Sequence, residues 1–271
     1  MGRGVYLVIT LVSFCAGCAS PRCVDASAGR ARWDRLSATL RRAADDPNVP
    51  RPSEPTGAER ESLIRVAETA RQALVLIETQ IPSTRHDGAA AAQTASRASG
   101  GTGVIIDPNG VVLTNAHVVQ GATELCVVLA DGQRHEVQAV AVDPRLDLAL
   151  LRIAVSNRAV LTPCDGCPAP GVPVVAVGCA PTDRIRAGIL TSADASLQVQ
   201  LDPTGQCRYG GLLESTVPIE PGFSGGPLLD RTGRLIGLNV ALAGRGLTQR
   251  SYAVPFTAAT RAAIASLTER L

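Results

Sequence analysis

Ser224 stands in the stretch Pro-Gly-Phe-Ser-Gly-Gly-Pro (221–227), with Gly222, Gly225 and Gly226 close around it. A serine hydroxyl is a weak nucleophile until a base takes its proton and donors receive the negative charge its attack creates. The chain offers few bases. It has three histidines, His86, His117 and His135, and all precede Ser224. Its 26 basic residues are all arginines. Mechanisms that need a lysine base, a Schiff base or a P-loop lysine are therefore excluded.

A nucleophile elbow requires a helix directly after its Gly-x-Ser-x-Gly and then, later in the chain, an acid and a histidine. Here GPLLDRTGRLIGL follows the serine and reads as a hairpin, and no histidine follows at all. The order His…Asp…Ser remains. His86 falls in an alanine-rich low-complexity stretch, and His135 lies between Arg134 and Glu136 in a polar strand. His117 closes the apolar run VVLTNAH, where its surroundings are ordered enough to hold an imidazole, and is the expected base. Asp147, flanked by leucines in LDLALL, has the desolvated setting of a carboxylate that orients an imidazole. Asp107, Asp131 and Asp143 stand where turns call for aspartate. The backbone N–H groups of Gly222 and Ser224 are expected to converge as an oxyanion site, since glycine at 222 leaves the needed φ/ψ open.

These residues must be positioned by strands. From Gly101 onward, short apolar runs alternate with turn signals: GVII-DPNG-VVLT, CVVLA-DGQ-RHEVQAVAV, LDLALLRI, VPVVAVG, SLQVQL, GLLESTV, GPLLD-RTG-RLIGLNVAL and RSYAVP. No helix of 10–15 residues separates them, which predicts an all-β fold of barrels or sandwiches. Residues 156–171 read as the connection between two β units. Before them, Thr56 and Glu59 form a capping box ahead of Leu63, Val66, Ala67 and Ala70 at helical spacing. Near the other end, Ile264, Leu267 and Leu271 predict a closing helix over 257–271.

Residues 1–18 carry Arg3 and an apolar run from Val5 to Phe14, too short to span a bilayer, and read as an export signal. Ala16-Gly17-Cys18 resembles the end of a lipoprotein signal, so Cys18 is the expected lipid attachment and membrane tether, on a chain exported to the bacterial cell envelope. Residues 19–57 read as a peripheral segment, with Trp33, Leu36 and Leu40 on one side of a short helix, followed by a proline-rich linker. With Cys15 and Cys18 set aside, Cys23, Cys126, Cys164, Cys167, Cys179 and Cys207 are left for disulfides or free thiols. No metal is expected, because Cys164-Asp-Gly-Cys167 lacks a second ligand pair. A net charge of +2 argues against a nucleic-acid partner.

The blocks GTGVIIDPNGVVLTNAHVV (101–119), DLALLRI (147–153) and PGFSGGPLLDRTGRLIGLN (221–239) resemble, in order and spacing, the signatures of trypsin-like serine proteases of the HtrA (Deg) type. The likeness runs from about Leu63 to Phe256. It implies an all-β fold of two antiparallel six-stranded β-barrels, chymotrypsin/trypsin-like, with short flanking helices. The protease domain would span 58–271, with a first barrel over about 73–155, a second over about 172–255, and the active site between them. His117 would then be general base and acid, Asp147 its orienting carboxylate, and Ser224 the nucleophile that forms an acyl-enzyme. Gly222 and Ser224 would bind the oxyanion, with no cofactor.

Ile219, Leu242 and Ala243 would line the primary pocket. Pro218 stands where specificity for arginine or lysine would need an acid, so small or medium aliphatic P1 residues are expected. The implied activity is a serine endopeptidase acting on unfolded or partly unfolded envelope proteins. The alternative is a proteolytically silent binding or chaperone-like module of the same fold. Homo-trimers are common in the resembled family. Its PDZ domains are not expected in a sequence that stops at Leu271. Phe223 replaces the family's usual asparagine, which bears on how the oxyanion loop rests.

Overall fold

The alternation of residues along each strand builds two sheets and a shared core. In a computed structural model of the chain, the residues described are 6–7, 55–84, 94–164, 166, 168–179, 184–202, 205–243 and 250–271. The export-signal and lipidation readings, the 19–54 segment and His86 lie outside them, apart from a two-residue strand, β1 (Tyr6–Leu7). Among the described residues no helix is long and apolar enough to cross a membrane.

The first unit is a sheet of seven strands, β2 (Leu74–Thr84), β3 (Thr94–Asp107), β4 (Val111–Thr114), β5 (Glu124–Leu129), β6 (Arg134–Glu136), β7 (Ala139–Asp143) and β8 (Leu148–Arg152). They pair in the order β6-β5-β2-β3-β4-β8-β7. The second unit comprises β9 (Pro173–Gly178), β10 (Arg184–Asp202), β11 (Gly205–Ser215), β12 (Pro227–Asp230), β13 (Leu235–Ala243) and β14 (Arg250–Pro255). These six close into a barrel, because β9 pairs with both β10 and β12. Strand β1 adds to β10 in parallel at Gln198 and Val199.

The two-barrel plan holds, with one difference in closure. The first sheet is curled but stays open in its hydrogen bonding. Its edge strands β6 and β7 are consecutive in the chain, so the backbone at Val137–Gln138 joins the rims, and Gln138 N–H donates to Arg152 O (2.8 Å).

Successive residues face opposite sides of a strand. In β8, Ala149 and Leu151 enter the core of the first sheet while Leu148 and Leu150 face the seam between units. In β9, Val174 and Ala176 fill the second barrel, and Val175 and Val177 face the seam. The seam cluster also holds Leu113, Leu229, Leu235, Leu238, Tyr252 and Phe256. Each such aliphatic side chain is stabilised by roughly 1.5–3 kcal/mol on leaving water, so the seam is as much a core as either barrel.

Two helices strap it crosswise. Helix α1 (Gly57–Ala70) starts at the expected capping box, with Thr56 N–H donating to Glu59 Oε2 (2.8 Å). It packs on β9 and β10 of the second unit through a buried face of Leu63, Ala67 and Ala70. Helix α3 (Ala258–Thr268), the expected closing helix, packs on β7 and β8 of the first unit and sinks Leu267 into the seam cluster.

Turn chemistry closes the hairpins. Asp107, Asp131 and Asp143 each accept a hydrogen bond from the backbone N–H two residues on, as their turn contexts predict. Asp230 turns β12 into β13. Burial works against its charge, but hydrogen bonds from Thr232 and Arg234 outweigh burial and hold its carboxyl below the ordinary aspartate range. A lowered folded pKa contributes stability that is present above the unfolded value of about 3.9 and lost as pH falls through the folded one. Asp230→Asn should therefore destabilise by about 1–3 kcal/mol at neutral pH. Denaturant unfolding across pH should show that difference shrinking under acid; a constant difference would contradict the assignment.

Candidate active site

Strand β4 ends at Thr114 and hands the chain to a single turn of helix, α2 (Ala116–Val119), which carries His117. The loop before β8 carries Asp147, one of two non-glycine residues with positive φ among those described (φ 53). A left-handed backbone is costly for a residue with a side chain and persists where the surroundings impose it. Here Asp147 is gripped on all sides. Its carbonyl accepts from Ala116 N–H (3.1 Å) and from Asn115 Nδ2 (3.0 Å). Its carboxylate accepts from His117 N–H at Oδ1 (3.0 Å) and lies 2.7 Å from His117 Nδ1 at Oδ2. A carboxylate only accepts, so the Nδ1 proton points at Asp147, which in the neutral ring leaves the lone pair on Nε2. The Asp147 side chain is 7% exposed and that of His117 20%, so the acid is dry and the imidazole edge is reachable.

Ser224 comes from the second unit, in the loop between Ser215 and β12. Three consecutive peptides around it are pinned. Phe223 N–H donates to Glu220 O (3.1 Å), Gly226 N–H to Phe223 O (2.9 Å), and Gly225 N–H to Asn239 O (2.9 Å). The N–H groups of Gly222 and Ser224, alone in the run 222–226, donate to no acceptor among the described residues. Gly222 has φ +100, a region that side chains disfavour. Gly225 has φ +77, and a Cβ there would sit 2.1 Å from Thr114 Oγ1 and 2.2 Å from Thr102 O. Ser224 Oγ has no hydrogen-bond partner among the described residues.

The structure thus joins His117 to Asp147 and leaves the Gly222 and Ser224 N–H groups open. Ile219 is buried in the second barrel's core with Val217 and Phe223. Leu242 and Ala243 stand in β13 opposite Ser251 and Arg250; their side chains fall outside the described residues. Glu214 and Glu220, the two acids nearest the loop in sequence, have partners of their own. Glu214 accepts from Thr191 and Tyr252. Glu220 is bound by Arg184 and by Arg186 (2.6 Å), which hold its carboxyl below the ordinary glutamate range. His135 pairs with Val127 in the first sheet, away from this cluster. Cys126 and Cys164 are free thiols, and Cys164 Sγ donates to Gly166 O.

Phe223 explains itself in the fold. It is fully buried, and its ring lies against Gly178, where a Cβ would come within 2.9 Å of the ring atoms. The residue before Ser224 is therefore an apolar anchor that ties the loop to the barrel.

Asn115 is a residue that sequence reasoning passed over. It is fully buried, and while its amide donates to Asp147 O, its Oδ1 accepts from Gly225 N–H (2.7 Å). One side chain thus fixes the acid's loop and the serine's loop relative to each other. The only hint in the sequence is its place two residues before His117. Asn115→Ala should lower the unfolding free energy by roughly 1–3 kcal/mol by leaving buried groups short of partners. Chemical denaturation checks this, and an unchanged midpoint would mean that the bridge carries nothing.

Comparison with known proteins bears on the family and the fold. The "Probable periplasmic serine endoprotease DegP-like" of Marinomonas sp. (strain MWYL1) is 35% identical over 169 residues, covering 60% of this chain and 34% of its own. The protein of the same description from Halomonas elongata is 34% identical over 169 residues, with the same shares. The chain thus spans about a third of the length of the curated relatives it matches. Among solved structures, the HtrA-type protease AlgW with decapeptide superposes with a TM-score of 0.59 at 26% identity, over 76% of this chain and 67% of that one. The active form of the Rv3671c protease from M. tuberculosis gives 0.63 at 22% identity, over 78% and 88%, a likeness of fold alone. Residues 101–238, about half the chain, match the trypsin-like peptidase domain, and the chain belongs to that family.

Proposed function

We propose that the chain is a serine endopeptidase in which His117, Asp147 and Ser224 form the catalytic triad. The observation that carries this reading is the pairing of two prepared features: an imidazole oriented by a buried carboxylate, and two undonated N–H groups on either side of Phe223. In the first step Ser224 Oγ attacks the scissile carbonyl carbon while His117 Nε2 takes the hydroxyl proton. The carbonyl oxygen becomes an oxyanion and is received by the N–H groups of Gly222 and Ser224. His117 then returns the proton to the departing amine, leaving an acyl-enzyme, and a water activated by the same Nε2 releases it. Asp147 stays ionised and steadies the imidazolium in both halves. The hydrogen bond from Ser224 to His117 is made as substrate enters, since such bonds tighten in the bound complex.

The substrate reading rests on likeness and on the loop. Relatives are named periplasmic endoproteases, and the AlgW structure holds a decapeptide. This supports extended, unfolded segments of envelope proteins as substrates. Pro218, with Ile219 buried beside it and Glu214 and Glu220 engaged elsewhere, supports a small or medium aliphatic P1 residue over a basic one. Export through residues 1–18, with a lipid on Cys18, would place the enzyme on the envelope side of a membrane, and a trimer is the assembly that the resemblance favours.

The full chain should be labelled by a fluorophosphonate and should digest an unfolded protein. Ser224→Ala and His117→Ala should each lose at least about 10⁴-fold in kcat/KM, since members of such a triad act as a unit. A chelator should leave the rate unchanged. A folded parent that resists labelling would overturn the reading in favour of a binding module.

A further inference from the structure

We propose that Thr102 is a positioning residue for the oxyanion site, its hydroxyl fixing the Gly222–Phe223 peptide and so the N–H groups beside it. The proposal rests on the reading of Ser224 as the nucleophile. Thr102 belongs to the first sheet, yet it is fully buried against the serine's loop in the second unit. Its Oγ1–H donates to Gly222 O (2.7 Å) across 120 residues of sequence, and its N–H donates to Ser224 O (2.9 Å). Of the three pinned peptides around Ser224, Thr102 thus holds the first and the third by their carbonyls.

The hydroxyl has one arrangement open to it. Cys179 N–H donates into Oγ1 (2.8 Å), which leaves the hydroxyl proton to Gly222. A group that accepts from one buried partner and donates to another cannot be replaced by a methyl of the same shape without losing both bonds. Thr102 is itself held from the base's side, because Thr114 Oγ1 donates to its carbonyl (2.8 Å) and Thr114 lies three residues before His117. The hydrogen bonds therefore run from the end of β4, which leads into the imidazole's helical turn, through Thr102, to the loop that carries the oxyanion donors.

Gly222 makes this restraint necessary. With no Cβ and φ +100, its backbone has little steric preference of its own. The bond from Thr102 sets the torsion between its N–H and its carbonyl. If the bond is lost, the carbonyl can rotate and the adjoining N–H drifts from the position that the developing charge requires. Oxyanion donors act through being fixed before the charge appears, so drift costs rate without costing substrate affinity.

The test pairs variants that differ only in the hydroxyl: the parent with Thr102→Val, and Thr102→Ser with Thr102→Ala. For each, kcat and KM are measured on a peptide substrate, together with the affinity for a peptide boronate with an aliphatic P1 side chain and for the matching product peptide. The boronate forms a tetrahedral adduct and depends on the oxyanion donors; the product peptide does not. We expect Thr102→Val and Thr102→Ala to lose about 10- to 100-fold in kcat, short of the ~10²–10³ seen when a donor is removed outright. Boronate affinity should fall in parallel, with KM and product affinity near parental, and Thr102→Ser should recover most of kcat. Parental kcat in the hydroxyl-free variants would overturn the proposal. So would equal loss of boronate and product binding, or failure of both variants to fold, either of which would make Thr102 a structural residue only. Fluorophosphonate labelling of the parent separates the two readings: if the parent does not label, the peptidase reading falls; if it labels and the pairs do not differ, only the Thr102 assignment does.

Discussion

The carbonyl of Ser224 is satisfied by a backbone N–H from the other half of the molecule, and the rest of the site depends on that bond. Leaving that carbonyl without its donor is costly, so the serine's loop is held in its conformation by the first sheet in register. Asn115, Thr102 and Thr114 extend the same constraint, each a buried polar side chain serving a backbone group of another segment. The apolar seam brings the two units together, and these few directional bonds fix how they meet. Dispersion and hydrophobic burial tolerate small slides between surfaces, whereas hydrogen bonds of 2.7–2.9 Å do not.

Much of this was legible in the sequence because the informative residues are scarce. Three histidines, all before Ser224, and no lysine left His…Asp…Ser as the order to expect. Short apolar runs between turn signals marked the strands, and the hairpin turns at Asp107, Asp131 and Asp143 behave as their residue types require. The capping box at Thr56 and the closing helix around Leu267 were equally local signals.

The remainder is long-range. Thr102 and Asn115 act on partners 120 and 110 positions away, and nothing in a threonine within a strand or an asparagine at a strand's end marks it as a bridge. Phe223 was visible as a departure from the family pattern, but its meaning lay in Gly178, which leaves room for the ring. The open rim of the first sheet was likewise unreadable, since strand count in a curled sheet depends on which edges find hydrogen bonds. Glu220 carried a charge whose two arginine partners lie on β10, more than thirty residues upstream.

The crossed straps have a consequence for the order in which the molecule is made. Helix α1 is synthesised early but docks on the late barrel, and α3 is synthesised late but docks on the early sheet. Neither half can finish its packing until the other has emerged. The half that carries His117 and Asp147 leaves the ribosome first, as a hydrogen-bonded pair without the loop of Ser224. The loop of Ser224 takes its bond to Asn239 O only once β13 has emerged. A growing chain built this way does not complete the packing around these residues until synthesis has passed α3, so the wiring of the fold serves as a clock.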